Sequence, residues 1–176
     1  MAAPYHNLGS KLDRAIVAYL ISEGAGTAGD VYPANRSGTK VLPNTTVQAF
    51  RGQPNPVCDG NYNVDVKVLV SMPAAEQPGS ENTQAQRVAF DERLARTFDA
   101  LHLSDDGDTL KATADAITDA GRDLADSDPD NNADMADFTC LSVLNLGFDR
   151  GEPDDAACAF VEVLTIRCNC CPSNVD

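Results

Sequence analysis

The chain predicts one α+β domain, with an antiparallel or mixed sheet packed by helices on one side. Three observations carry this expectation. Strand-like and helix-like stretches are segregated along the chain instead of alternating as β-α-β units. Asn63–Met72 sets Val64, Val66, Val68 and Val70 against Asp65, Lys67, Leu69 and Ser71, the two-residue period of a half-buried strand. Finally, 176 residues with 43% hydrophobic content suit a single core, so residues 1–176 are taken as one domain.

The elements follow in order. Asn7–Glu23 predicts a helix, with Leu8, Leu12, Ala15, Ile16, Tyr19 and Leu20 at helical spacing and Gly24 and Gly26 ending it. Ser10 and Asp13 form a weak capping box from which its regular part would start. A Gly-rich turn leads to Val31–Pro33, and a polar turn through Asn35, Ser37 and Gly38 leads to a strand at Thr45–Phe50. Gly52–Gly60, with two prolines, reads as a loop before the strand Asn63–Met72, which Pro73 and then Pro78-Gly79 close. Thr83 is placed to cap a helix running to about Leu101, with Phe90, Leu94, Phe98 and Leu101 on its apolar face.

A further helix, Thr109–Ala125, would bury Leu110, Ala114, Ile117 and Leu124 and carry Asp115, Asp119 and Asp123 as an acidic stripe opposite. Aspartate is a mediocre helix former, so this helix depends on packing. After an acidic loop, Asp126–Asp137, the strands Phe138–Leu146 and Ala157–Cys168 flank a turn with Gly151 and Pro153 and read as an antiparallel hairpin. No internal repeat or coiled-coil heptad is present.

The formal charge of −14 is unevenly spread: residues 1–79 carry six basic and six acidic side chains, and residues 80–176 carry seven and 21. Such a surface repels phosphate backbones, which argues against direct nucleic-acid binding, and suits metal ions, basic partners or a high-salt medium. No apolar run approaches the roughly 20 residues of a membrane span, and Ile16–Ile21 is far too short. The first residues lack the pattern of a secretory signal, so synthesis in a host cytoplasm is expected, where thiols stay reduced. Of the six cysteines, Cys58, Cys140 and Cys158 sit in or beside apolar segments, and Cys168, Cys170 and Cys171 crowd one end.

Among motifs, the sharpest is the run Asp126, Asp128, Asp130, Asp134 and Asp137, which fills positions 1, 3, 5, 9 and 12 of a calcium loop with acidic oxygens. Against it, the sixth position is Asn131 instead of Gly, and the twelfth is Asp137 instead of a bidentate Glu. A solvated acidic loop is the favoured reading, with calcium as the one cofactor the sequence leaves open. Cys168-Asn169-Cys170-Cys171 lacks the second ligand pair that zinc wants and reads as a thiol cluster without catalytic consequence. His6 and His102 lie in no catalytic context, and Gly24-Ala25-Gly26 follows a helix, not a strand, without the Lys of a phosphate loop. No enzyme activity is expected.

Several tracts together resemble tailed-phage tail-terminator and tail-completion (neck) proteins. They are Leu12-Asp13-Arg14-Ala15-Ile16-Val17-Ala18-Tyr19-Leu20, Val41-Leu42-Pro43-Asn44 and Gly60-Asn61-Tyr62-Asn63-Val64-Asp65-Val66-Lys67-Val68-Leu69-Val70. Arg87-Val88-Ala89-Phe90-Asp91 and Phe160-Val161-Glu162-Val163-Leu164-Thr165-Ile166 complete them. The resemblance spans most of residues 8–168 and implies an α-β-β-β-α-β domain, from which this chain departs by an acidic helical insertion at about residues 105–137. It also implies a structural virion protein of the neck or tail: a homo-oligomer, in this family a hexameric ring. Such a ring ends the tail tube and offers a docking surface to the head connector, so tube and connector or adaptor proteins are the implied partners. Two alternatives stand beside it: another neck or adaptor protein, and a calcium-binding module centred on residues 126–137.

Overall fold

Leu8, Leu12, Ala15, Ile16, Tyr19 and Leu20 form the buried stripe of the first helix, α1 (Leu8–Ser22), in a computed structural model of the chain. The structure describes residues 8–35, 42–58, 60–73, 81–101, 107–150 and 159–171. Three strands follow α1: β1 (Val31–Pro33), β2 (Asn44–Pro54) and β3 (Tyr62–Pro73). Next come α2 (Glu81–Leu101), α3 (Gly107–Ser127), the single turn α4 (Pro129–Asn132) and a 3-10 turn, Ala133–Met135. The strands β4 (Thr139–Arg150) and β5 (Ala159–Cys171) end the described chain. The five strands form one mixed sheet in the order β1-β2-β3-β5-β4, with β1 parallel to β2 and every other pair antiparallel.

The period of two sets which side of the sheet is dry. Val64, Val66 and Val68 of β3 lie opposite Cys168, Ile166 and Leu164 of β5, and all six are buried. Their neighbours Asn63, Lys67 and Leu69, and Val163, Thr165 and Arg167, point to the other face and stay partly exposed. Helices cover the first face alone: α1 lies against β1 and β2, α2 against β3, and α3 against β4 and α1. Burying a Val, Leu or Ile side chain here contributes about 1.5–3 kcal/mol.

Several boundaries differ from expectation. β2 continues through Gly52 and Gln53 to Pro54, where a loop is expected, because these residues pair with Val64, Asn63 and Tyr62. Ladder hydrogen bonds outweigh their low strand propensity, and Pro54 sits at the strand end, where its missing N–H is harmless. Ser10 and Asp13 lie inside α1 and cap nothing: the helix begins at Leu8, and Asp13 is turned into the fold. Thr83 likewise falls inside α2, which starts at Glu81. Asp126–Asp137 is a turn of α-helix and a 3-10 turn, not an open loop, with Pro129 at a helix start it favours and Met135 and Phe138 buried as anchors.

Polar contacts at the ends of elements fix how the helices sit. Arg93 of α2 donates to Thr45 Oγ1 (3.0 Å), Asp30 Oδ2 (3.2 Å) and the Asp30 carbonyl (3.2 Å), tying α2 to the β1–β2 corner. Tyr19 of α1 donates its hydroxyl to the Ala100 carbonyl at the end of α2. The Thr118 hydroxyl of α3 accepts from the Cys140 N–H (2.9 Å) and donates to its carbonyl (3.1 Å), holding the start of β4.

The glycine run after α1 is a stop signal. Gly24, at φ +74°, donates to the Ile21 carbonyl (3.1 Å), and Ala25 donates to that of Leu20 (2.9 Å). This is a Schellman cap, closed by contact between the buried Ala25 and Leu20. A Cβ on Gly26 would stand 2.4 Å from Val31 Cγ2, so only glycine lets the chain turn there into β1. Gly24→Ala should lower the free energy of unfolding by about 1 kcal/mol in a urea titration, with an unchanged slope, because alanine resists the left-handed region.

Candidate functional site

The five aspartates of the acidic segment are not brought to one point. Asp126 is exposed in the last turn of α3. Asp128 accepts the Asn131 side-chain amide at 2.9 and 3.1 Å, and Asp130 is exposed in the first turn of α4. Asp134 accepts Arg14 of α1 through both oxygens, at 2.6 and 3.2 Å, and Arg14 also reaches Asn132 Oδ1 at 3.0 Å. The hydrogen bond from Arg14 holds the Asp134 carboxyl below its usual range, against partial burial. Asp137 is exposed in the turn before β4. Among the described residues, no three His, Cys, Asp or Glu side chains gather into a group able to hold a metal ion. The segment acts as a strap to α1, at the modest strength of a half-exposed ion pair.

Of the other singled-out residues, His6, His102 and Cys158 lie outside the described residues. Cys58 is exposed in the loop between β2 and β3. Cys168 and Cys170 point to the dry face of β5 and Cys171 does not, so the terminal run is split between two faces of the sheet. Its buried half is joined by Cys140, opposite Cys170 on β4. Sequence distance hides that meeting, and only the strand register reveals it. Asp115, Asp119 and Asp123 are exposed on α3 as the helical period predicts, with Lys111 paired to Asp115 at 2.8 Å. A groove of about 450 Å3 between α1 and α3 is lined by Ala18, Ala116 and Ala120, with Glu23, Asp119 and Asp123 as its acids.

Among the described residues, the far edge of the sheet exposes an apolar strand. β4 is an outer strand of 12 residues, and β5 is the one described strand that pairs with it. Leu141, Leu144, Leu146 and Phe148 are 43%, 51%, 42% and 63% exposed. Two bulges, at Cys140/Ser142 and Asn145/Gly147, break the alternation so that apolar side chains emerge on both faces. Phe148 is turned to the helix side, edge-on to Phe98 of α2 with ring centroids 5.9 Å apart. Leu144 is turned to the open face beside Arg167, whose guanidinium grips Asp65 at 2.6 and 3.0 Å. Further across that face, Lys67 sits 4.8 Å over the ring of Phe50, itself 46% exposed. In the sequence, Phe138–Leu146 reads only as a strand, and its place at an edge is a property of the whole sheet.

The opposite edge shows how an unpaired backbone group is handled when it is not left open. β1 is three residues long, so β2 runs on beyond it, and the Asp13 carboxylate accepts the Ala49 N–H at 2.6 Å. Burial pushes the Asp13 carboxyl up to about 6, partly offset by that hydrogen bond.

No protein-family model and no curated protein matches the chain.

Two measurements check this geometry. The raised Asp13 carboxyl means that the folded chain holds a proton that the unfolded one has released between about pH 4 and 6. Stability therefore falls as pH rises through that window. Asp13→Asn keeps an acceptor for Ala49 and should flatten this slope, raising stability at pH 7 by about 1–2 kcal/mol after discounting for solvent screening. For the acidic segment, millimolar calcium should shift the melting temperature of the protein and of Asp128→Ala alike by less than about 1 °C. A rise of several degrees that Asp128→Ala abolishes would instead establish a calcium site there.

Proposed function

We propose that the chain is a structural virion subunit of a tailed phage that closes into a ring at the head–tail interface, ending the tail tube and meeting the head connector. On this reading it is no enzyme, and its working surface is a contact between copies. The observation that carries the assembly is the β4 edge, a long strand beyond which no other described strand pairs, with four half-exposed apolar side chains. Left bare, such an edge is a template for another strand, and soluble proteins normally blunt it with charge. Here the charges of the described strand, Asp149 and Arg150, are confined to one end.

The phage assignment draws on the resemblance of the quoted tracts to tail terminators. In the fold, α1-β1-β2-β3-α2 agrees with the start of the order that the resemblance implies; with the acidic insertion at about residues 105–137 set aside, β4 and β5 follow, one strand more than α-β-β-β-α-β. The insertion carries the acidic stripe and leads into the β4 edge.

The two edges of the sheet differ, a long apolar β4 and a short β1 past which β2 runs on. Unlike edges favour a head-to-tail contact, which generates a ring if its rotation closes. Repulsion between chains of charge −14 opposes closure at low salt, and screening relieves it. An acidic face turned to the lumen would keep DNA from adhering as it passes.

Light scattering on the full chain, from low to high salt, tests this. A closed ring of about six copies should appear and gain population with salt, and Leu144→Asp with Leu146→Asp should leave a folded monomer. A monomer at every salt and concentration overturns the proposal, as does a ring that the double variant leaves intact.

A further inference from the structure

Three thiols from two strands meet under α3: Cys140 on β4, and Cys168 and Cys170 on β5, exposed by 1%, 0% and 0%. Cys140 and Cys170 are direct cross-strand partners, whereas Cys168 lies opposite Val143. The backbone of Cys140 decides the spacing of the first pair. Its N–H and carbonyl are both taken by the Thr118 hydroxyl, at 2.9 and 3.1 Å, so they point away from β5. The pair is therefore of the non-hydrogen-bonded kind, in which facing Cα atoms stand about 4.5 Å apart and side chains come closest. That separation falls within the range a disulfide spans, about 4.4–6.8 Å. The diagonal from Cys140 to Cys168 is about 7–8 Å between Cα atoms, beyond that range.

We propose that Cys140 and Cys170 are a peroxide-sensitive dithiol that closes to a cross-strand disulfide, fastening the β4 edge strand to the body of the sheet. The Cys140 thiolate attacks one oxygen of hydrogen peroxide, the O–O bond breaks, and the departing hydroxide takes a proton to become water. Cys140 is then a sulfenic acid, its sulfur oxidised by two electrons and the peroxide reduced. The Cys170 sulfur attacks that of Cys140, the S–S bond forms, and the S–O bond breaks with loss of a second water. Two thiols and one peroxide thus give one disulfide and two waters.

Hydrogen bonds from the Cys168 and Cys170 thiols hold the Cys140 thiol below its usual range, against its burial, and so favour it as the attacking thiolate. The same contacts and their own burial hold Cys168 and Cys170 up. Cys168 is thereby a positioning residue, stabilising the attacking thiolate without entering the bond. β4 is the outer strand, so a small oxidant needs only local opening of an edge to reach the pair.

The experiment treats the native full-length protein with a few equivalents of hydrogen peroxide, alkylates the remaining thiols, and maps the unreduced digest by mass spectrometry. A peptide joining Cys140 to Cys170, about two mass units lighter than the sum of its parts and released by dithiothreitol, is expected. The melting temperature of the oxidised protein should rise by about 5–10 °C. Cys168→Ala should still form the bond, but several-fold more slowly at pH 7. Cys170→Ala should stop at a Cys140 sulfenic acid that dimedone traps. Cys140 remaining reduced at peroxide levels that oxidise the exposed Cys58 overturns the proposal, as does a Cys140–Cys168 linkage.

Discussion

The pairing of β3 with β5 is the contact on which the remaining structure depends. Twelve residue pairs join them, from Tyr62 opposite Cys170 to Pro73 opposite Ala159. Val64, Val66 and Val68 then face the helices together with Cys168, Ile166 and Leu164, while Asp65 and Arg167 meet on the other side. A slip of β5 by one residue against β3 would turn Arg167 toward the helices and put Ile166 and Leu164 on the outer face. The register is thus fixed by two requirements at once, a dry row and a charged row. It is also a long-range contact, since the last strand of the described chain lies between β3 and β4, and its closure orders the intervening helices around the sheet.

Once that pair is in place, the helices are held by apolar burial and oriented by a few polar contacts. Arg93 reaches the β1–β2 corner, Tyr19 joins α1 to the end of α2, and Thr118 occupies the first free backbone groups of β4. Asp13 serves β2 in the same way. These groups are placed where strands of unequal length leave N–H or C=O groups without ladder partners, which is where a buried backbone most needs them. Beyond Thr118 the Asn145 side chain takes the Gly147 N–H (2.7 Å), and no other described strand pairs along this edge. The same α3–β4 unit therefore contributes Cys140, covers the two buried thiols of β5 and presents the exposed apolar strand.

Charge and apolar surface work against each other in this protein. The acidic side chains of α3 and α4 point outward, where they favour solubility and repel like-charged neighbours and nucleic acid. The β4 edge presents an apolar strand instead. Charge repulsion acts over about 10 Å, while pairing at a strand edge acts only in contact.

Short-range periodicity was enough to read most of the fold. The helical spacing from Leu8 to Leu20, the alternation of Val64 to Val70 and the stripe of Asp115, Asp119 and Asp123 are local patterns, and each element lies where its pattern places it. Boundaries were less legible where partners override propensity, as at Gly52–Pro54, where a facing strand extends β2. The site was hardly legible at all. The aspartates spaced for a calcium loop are separated by a helical turn and by the claim of Arg14 on Asp134, a residue 120 positions away. Cys140 and Cys170 are neighbours only because two antiparallel strands fix their register, and Leu144 is at an edge only because no described strand pairs beyond it. Sequence determines which face of each element is dry, because side-chain period is a local property of the backbone. The tertiary structure decides which elements become neighbours, because pairing order and register depend on contacts between residues far apart along the chain.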